Sequence, residues 1–343
     1  MGRTPDKALL RSRPVSTTGT LLRFLLIAAL AVTAVSISLL HGSSGIGWRE
    51  ALAALAGGGD ETARSIVLGV RLPRTLAALG VGSVLALAGV LLQALFRNPL
   101  ADPDVLGVSG GAAVGALVAL IAGAGAVATR GGAFAGSMAA IGLVAIAGRG
   151  GGMTRLLLTG VVVASACGAC VAVLLALADS GQLRGMVFWL AGDLGWAADP
   201  WASGLAALAA LALALAFARP LNVLAAGELR AQAAGLDLAF ARWAIFLASA
   251  ALTSTAVITA GTVGFVGLVT PHAARLAFRT GDHRIVAPAA ALLGGSFVAL
   301  ADHAARMIAA PRQLPVGAIL ALIGAPLFLV LLRSTVSEPR VRR

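Results

Sequence analysis

The chain has 343 residues, of which 59% are hydrophobic and 12% charged, and its mean hydropathy is +0.95. That is more apolar surface than a water-soluble domain of this length can bury, so the composition excludes a soluble enzyme or binding module. The net charge of +12 would point a soluble protein towards nucleic acid, but the basic residues (all Arg apart from Lys7) fall in loops and tails. Orientation in a membrane accounts for them, and no nucleic-acid partner is implied.

A membrane span needs about 20 apolar residues. Charge-free blocks of about that size occur at 24–40, 75–96, 105–129, 131–148, 156–178, 200–218, 243–274, 285–301 and 313–332. This predicts an all-α, polytopic membrane protein whose 43 glycines let helices approach closely. The first block follows a basic tail, 1–20, and lacks a clean small-residue cleavage site, which predicts a retained span rather than a signal peptide.

The second span opens with Arg71-Leu-Pro-Arg74. Pro73 suits a first helical turn, whereas two arginines there oppose the helix dipole at a cost of a few tenths of a kcal/mol each. Two exposed cations at i, i+3 would suit docking to carboxylates on an extracytoplasmic partner, and Arg306 would join them. Between the second and third spans lies FRNPLADPDVLGVSGG, residues 96–111. Its Gly-Val-Ser-Gly also fits an intramembrane serine protease with Ser109 as nucleophile, which would need His272 or His303 as general base. Ser109 sits close to the cytoplasmic loop, and the predicted topology puts His303 at the opposite face. Cys167 and Cys170 share one face of the fifth span and read as small packing residues. With four histidines, they form no metal-ligand spacing.

Residues 219–242 form the longest inner connection, with Leu221, Leu224, Ala225, Leu229 and Gln232 at helical spacing and Gly227 and Gly235 as punctuation. It reads either as a docking segment for a cytoplasmic partner or as a solvated connector. The chain has no P-loop lysine, so nucleotide hydrolysis would have to come from a partner. The blocks also lack the buried acids that an ion-coupled carrier uses.

Block 243–274 has 32 residues and would be about 48 Å long as one helix, too long for a bilayer. Thr259-Ala-Gly-Thr-Val-Gly264 offers a turn inside it. Splitting there gives ten spans with both termini in the cytoplasm, and places 18 basic residues inside and 8 outside. Without the split the count is 13 against 13, so the positive-inside rule selects ten.

Several long motifs in this order resemble the FecCD family of permeases, the membrane subunits of type II ABC importers for ferric siderophores, haem and vitamin B12. They are RLPRTLAALGVGSVLALAGVLLQALFRNPLADPDVLGVSGGA (71–112), GFVGLVTPHAAR (264–275), DHR (282–284), ADHAAR (301–306) and LPVGAILALIGAPLFLVLL (314–332). Asn98, Pro99, Pro103, Gly107, Gly264, Gly267, Pro271, His272 and Arg275 fall in these motifs and read as structural.

The resemblance implies a type II importer permease fold over 21–334, with cytoplasmic tails at 1–20 and 335–343. It also implies a second permease subunit (self or paralogue), two cytoplasmic ATPase subunits that bind ATP and Mg, and a periplasmic substrate-binding protein. This chain would bind no cofactor or metal of its own and would be a transport subunit in the bacterial inner membrane. Arg71, Arg74 and Arg306 would pair with acids of the binding protein. A coupling segment at 219–240 would rest on the ATPase through Leu224, Gly227, Glu228, Ala231 and Gly235, with Leu229 standing where the family has a second acid. Ferric siderophore leads as cargo on frequency in the family; cobalamin is next and haem behind it.

Overall fold

The structure is a computed structural model and describes residues 17–150, 152–196 and 200–336. The expected tails, 1–20 and 335–343, lie almost wholly outside these residues. Fifteen α-helices, joined by short 3₁₀ and π turns, make up the described chain, and no strand is present among the described residues.

The first helix, α1 (Thr17–Leu40), is followed by two short ones, α2 (Trp48–Leu55) and α3 (Glu61–Ile66). A π turn over Val67–Arg71 joins α3 to α4 (Leu72–Phe96), so that Glu61–Phe96 runs as 36 helical residues. This corrects the expected helix start at Arg71. Pro73 has no N–H to give to the Gly69 carbonyl, and the wider turn just before it accommodates the ring without ending the helix. Arg71 and Arg74 therefore lie inside a helix, and the dipole conflict does not arise.

The third and fourth spans also differ from expectation. α5 (Val108–Ile121) ends early, and α6 (Ala126–Ala147) contains Arg130 within its length. The turn is made by Ala122–Gly125, with Gly123 at φ +70°. An Ala-Gly turn carries no charge, so an uncharged run conceals it.

Next come α7 (Gly152–Leu177), α8 (Ser180–Leu190) and α9 (Pro200–Ala216). α9 bends by 52° into α10 (Ala218–Ala225), and α11 (Glu228–Ala233) follows. The long block does split: α12 (Leu238–Ala260) and α13 (Val266–Phe278) are separated at 261–265, where Gly261 and Phe265 both take positive φ. α14 (His283–Met307) and α15 (Val316–Val336) complete the chain.

α4 is the axis of the molecule, packing on α9, α12, α13 and α14. Its apolar stretch is 83% buried, against 6% for α7 and 11% for α1. Backbone-to-backbone approach makes this possible: a Cβ on Gly82 would overlap the Gly294 carbonyl of α14, and one on Gly89 the Gly267 carbonyl of α13. The outward faces of α1, α6, α7 and α15 carry exposed Leu, Val, Ile and Phe, as lipid or a second subunit requires. Among the described residues, six helices are long and apolar enough to cross a membrane; the bent α9–α10 pair and the shorter apolar α5 and α15 add to these.

Candidate functional site

The chemistry-bearing residues collect at the two ends of α4. At the Arg74 end, an acid buried completely, Asp302 of α14, gathers two arginines. Arg74 Nε lies 2.9 Å from its Oδ1, and Arg306 Nε, one turn along α14, lies 3.0 Å from its Oδ2. Arg74 also donates to Gln313 Oε1 at 3.2 Å and reaches Asp193 Oδ1 at 3.4 Å. Arg306 Nη2 donates to Ser38 Oγ at 3.0 Å, and Ser38 shares a 2.9 Å hydrogen bond with Thr75.

Asp193 is held by its own loop: its N–H donates to the Ala260 carbonyl at 2.8 Å, and the Val316 N–H donates to the Gly192 carbonyl at 2.9 Å. The cluster thus ties α4, α12, α14 and α15 together.

Arg71 does something different. It is 2% exposed, and donates to the Leu39 carbonyl at 3.0 Å and to Ser44 Oγ at 2.8 Å. Its guanidinium lies against Gly42, where a Cβ would sit 2.8 Å from Nη2. The expectation of two exposed cations is therefore corrected. Arg71 fastens the end of α1, and the Arg74 and Arg306 side chains are only 10% and 9% exposed. Asp193 and Gln313 were not singled out in the sequence, and Asp302, placed there just beyond the 285–301 block, lies inside α14 and fully buried, which corrects the expectation of spans without a buried acid. The available signal was an acid four residues before Arg306 in a chain whose spans are otherwise acid-free.

At the opposite end of α4, Arg97 closes the helix in the left-handed conformation (φ +50°). Asn98 Oδ1 then accepts from the Leu100 N–H at 2.9 Å, which makes the turn through Pro99. Pro103 opens a 3₁₀ turn to Leu106 and fits against Gly267, where a Cβ would meet its Cδ at 2.8 Å. Gly107 ends that turn with φ +76°. Gly264 faces the Asp104 carboxylate. Ser109 Oγ donates to Asp104 Oδ1 at 2.5 Å, and among the described residues no histidine hydrogen-bonds to it, so the geometry a serine protease needs is not formed there.

Asp102 and Asp104 lie side by side in this loop. Burial, reinforced by the neighbouring carboxylate, pushes the Asp102 carboxyl up to about 7 against the hydrogen bond it accepts from the Asp104 N–H. Burial raises Asp104 as well, opposed by the Ser109 hydroxyl.

Gln93 links this loop to α13: its amide donates to the Gly267 carbonyl at 3.0 Å and its oxygen accepts from Arg275 at 2.6 Å. Pro271 and His272 sit buried within α13, the His272 ring edge-on to Phe328.

The 218–237 segment packs on this same end. Glu228 receives Arg97 at 3.0 Å and Arg242 at 2.6 Å, in partly exposed pairs. Gly227 (φ +110°) and Gly235 (φ +78°) reverse the chain on either side of α11. Leu224 and Ala231 are core residues, 4% and 0% exposed, which corrects the expectation that they face a partner; Leu229, 83% exposed, does face outward. Asn222 of α10 clasps the start of α14, accepting from the His283 N–H at 2.9 Å and donating to Asp282 Oδ1 at 2.7 Å. Among the described residues, no group of His, Cys, Asp or Glu is arranged to hold a metal ion.

The sequence model of the FecCD transport family matches residues 29–334. The chain belongs to this family. The FecCD permease is 42% identical over 304 residues to the cobalamin import system permease protein BtuC of Halobacterium salinarum, covering 85% of this chain and 80% of that protein. It is 40% identical over 279 residues to the vitamin B12 import system permease protein BtuC of Shigella sonnei, covering 77% and 82%.

Among solved structures it superimposes on an inward-facing metal-chelate type ABC transporter with a TM-score of 0.80 at 31% identity, over 91% of this chain and 99% of that one. The permease thus has the type II ABC importer permease fold and is a multi-pass inner-membrane protein.

Proposed function

We propose that the FecCD permease is the ten-span subunit of an ATP-driven importer that carries cobalamin. The observation that carries this reading is the 42% identity, over 85% of the chain, to a permease named for cobalamin import. Ferric siderophore, the cargo placed first by frequency, gives way to the corrinoid, itself a chelated metal. The ten spans are α1, α4, α5, α6, α7, α9, α12, α13, α14 and α15, with both termini on the cytoplasmic side. What supports this topology is the 18-to-8 division of basic residues and the observed break between α12 and α13.

In this reading the Arg74 end faces outward and receives a binding protein. Arg74 comes nearest the surface, through its hydrogen bond to the exposed Gln313, while Arg71 and Arg306 shape the platform from beneath. The Glu228 end faces the cytoplasm and receives two ATPase subunits, which bind ATP and Mg and supply the hydrolysis. The partner rests on the outward side of α11, at Leu229 and Arg230. The buried Leu224 and Ala231 pass the displacement to α12 and α4 through packing. A second permease subunit completes the pathway. The neutral Gly, Ala and Leu surfaces suit a bulky cargo whose metal charge is already wrapped by its ligand.

The test is uptake by a deletion strain with and without plasmid rescue, using labelled cyanocobalamin and labelled ferric siderophores side by side. Loss and rescue of cobalamin uptake alone is the expected result. Loss confined to an iron chelate would overturn the cargo and keep the machine.

A further inference from the structure

At the Glu228 end of α4, a cavity of about 280 Å³ lies between that helix, the end of α10, the last turn of α13 and the start of α14. Its polar lining is Gln93, Arg97, Asn98, Arg275 and His283, and no carboxylate lines it. Arg275 donates to a neutral acceptor, Gln93 Oε1, at 2.6 Å. It is partly buried, yet among the described residues it forms no ion pair. A cation withdrawn from water without a counter-charge is costly, and an anion beside it relieves the cost.

A second guanidinium is at hand. Arg97 lines the same cavity, with its side chain 48% exposed and paired to Glu228. Glu228 also holds Arg242 at 2.6 Å, so Arg97 can turn into the cavity without stranding that carboxylate. The acid next to His283 in the chain, Asp282, accepts from Asn222 Nδ2 and from the Arg284 N–H and does not line the cavity.

His283 sets the kind of anion that fits. Asn222 Nδ2 donates to Asp282, and Asn222 Oδ1 accepts from the His283 N–H, so the orientation of this amide is fixed. His283 Nδ1, 2.6 Å from the same Oδ1, therefore carries the ring proton. In the neutral ring Nε2 is then an acceptor, and among the described residues it is buried with no hydrogen-bond partner. The cavity thus offers guanidinium donors for charged oxygens and one acceptor for a hydroxyl. Hydrogen phosphate presents both kinds of group, whereas sulfate has no hydroxyl.

We propose that this cavity is a binding site for inorganic phosphate, with Arg275 and Arg97 on its charged oxygens and His283 Nε2 accepting from its P–OH group. Nε2 is closed to water until the guanidiniums are drawn onto the anion. Gly281 keeps the entry open, with no atom within 4 Å of the place a Cβ would occupy. Gln93, Arg275 and His283 are held by contacts within this chain, so no second subunit is needed to form the site. That the cavity opens to the cytoplasm rests on the topology proposed above; binding by the purified chain does not.

The experiment uses the full-length permease in phosphatidylcholine nanodiscs, purified without ATPase subunits so that their nucleotide sites do not contribute. Binding of labelled inorganic phosphate is measured by equilibrium dialysis at fixed ionic strength, with unlabelled sulfate competing. Saturable binding is expected, with sulfate at least about tenfold weaker. His283→Asn keeps a donor for Asn222 and removes Nε2, and should bring the two anions to within about threefold of each other. Arg97→Gln, at an exposed position, should weaken both anions about tenfold. Arg275→Lys should retain binding that Arg275→Gln loses.

No saturable binding, or equal binding of phosphate and sulfate by the wild type, would overturn the proposal. So would phosphate affinity unchanged in both Arg97→Gln and Arg275→Gln. The assembled importer supplies a further arm, read as the difference between wild type and Arg275→Gln. Disappearance of that difference would make the cavity a seat for a carboxylate of the ATPase and overturn the phosphate reading. Displacement of labelled phosphate by phosphatidic acid in the discs would support the site while making a lipid headgroup its occupant.

Discussion

The two ends of α4 use the same chemistry, arginine with carboxylate, in opposite ways. At the Arg74 end, Asp302 is fully buried and both of its arginines are nearly so. At the other end, Glu228 meets Arg97 and Arg242 with side chains 27 to 48% exposed. Removing one member of a buried group strands a charge away from water, whereas an exposed pair separates into solvent at little cost. The first arrangement fixes four helices in one relation. The second holds a short helix, flanked by two positive-φ glycines, through charges that stay solvated.

The largest expected effect follows from that contrast. Asp302→Ala leaves Arg74 and Arg306 facing each other without their shared acid, and should destabilise the protein by about 3–5 kcal/mol. Thermal unfolding of the purified permease checks this; a change below about 1 kcal/mol would break the comparison. Asn222→Ala comes next. It deprives the buried His283 N–H of its acceptor and Asp282 of a donor, at a cost of about 1–3 kcal/mol by the same assay.

Glu228→Ala should change stability by less than about 1 kcal/mol. In the reconstituted importer it should still lower the number of cargo molecules moved per ATP hydrolysed, and an unchanged ratio would remove Glu228 from the coupling role. The last test is a pH profile, read at Asp102. Its carboxyl is raised in the folded protein, so the fold binds that proton more tightly than the unfolded chain does. Stability should fall as pH rises from 3.8 towards about 7, and Asp102→Asn should flatten that part of the profile.

Much of this architecture was legible in the sequence because membrane constraints are coarse and strong. The 32-residue block was too long for one span, and it breaks where its Gly-Thr-Val-Gly run allows. The charged break at 97–104, between two charge-free blocks, was equally plain. What was hidden has local causes. A π turn before Pro73 carried the helix past the place where a proline and two arginines mark a beginning. An uncharged Ala-Gly turn separated α5 from α6 inside one apolar run.

In the 219–242 segment, helical spacing was counted straight through Gly227. That residue resets the phase, so Leu224 and Ala231 point inward and Leu229 points out. The partners of the arginines were out of reach for another reason. Asp193 and Asp302 lie 119 and 228 positions from Arg74.

The clasp between Asn222 and the first turn of α14 gives that helix a particular standing. Its 25 residues span about 37 Å, with Asn222 holding one terminus and Asp302 and Arg306 lying near the other. A ligand that favours one setting of this rod at either terminus must favour the same setting at the other. Under the docking proposed above, the equilibrium effect is symmetric: whatever factor a delivery partner imposes on the ATPase's affinity, the ATPase imposes on the delivery partner's. Measuring how nucleotide alters delivery-partner binding would therefore give the strength of the reverse influence without a separate experiment.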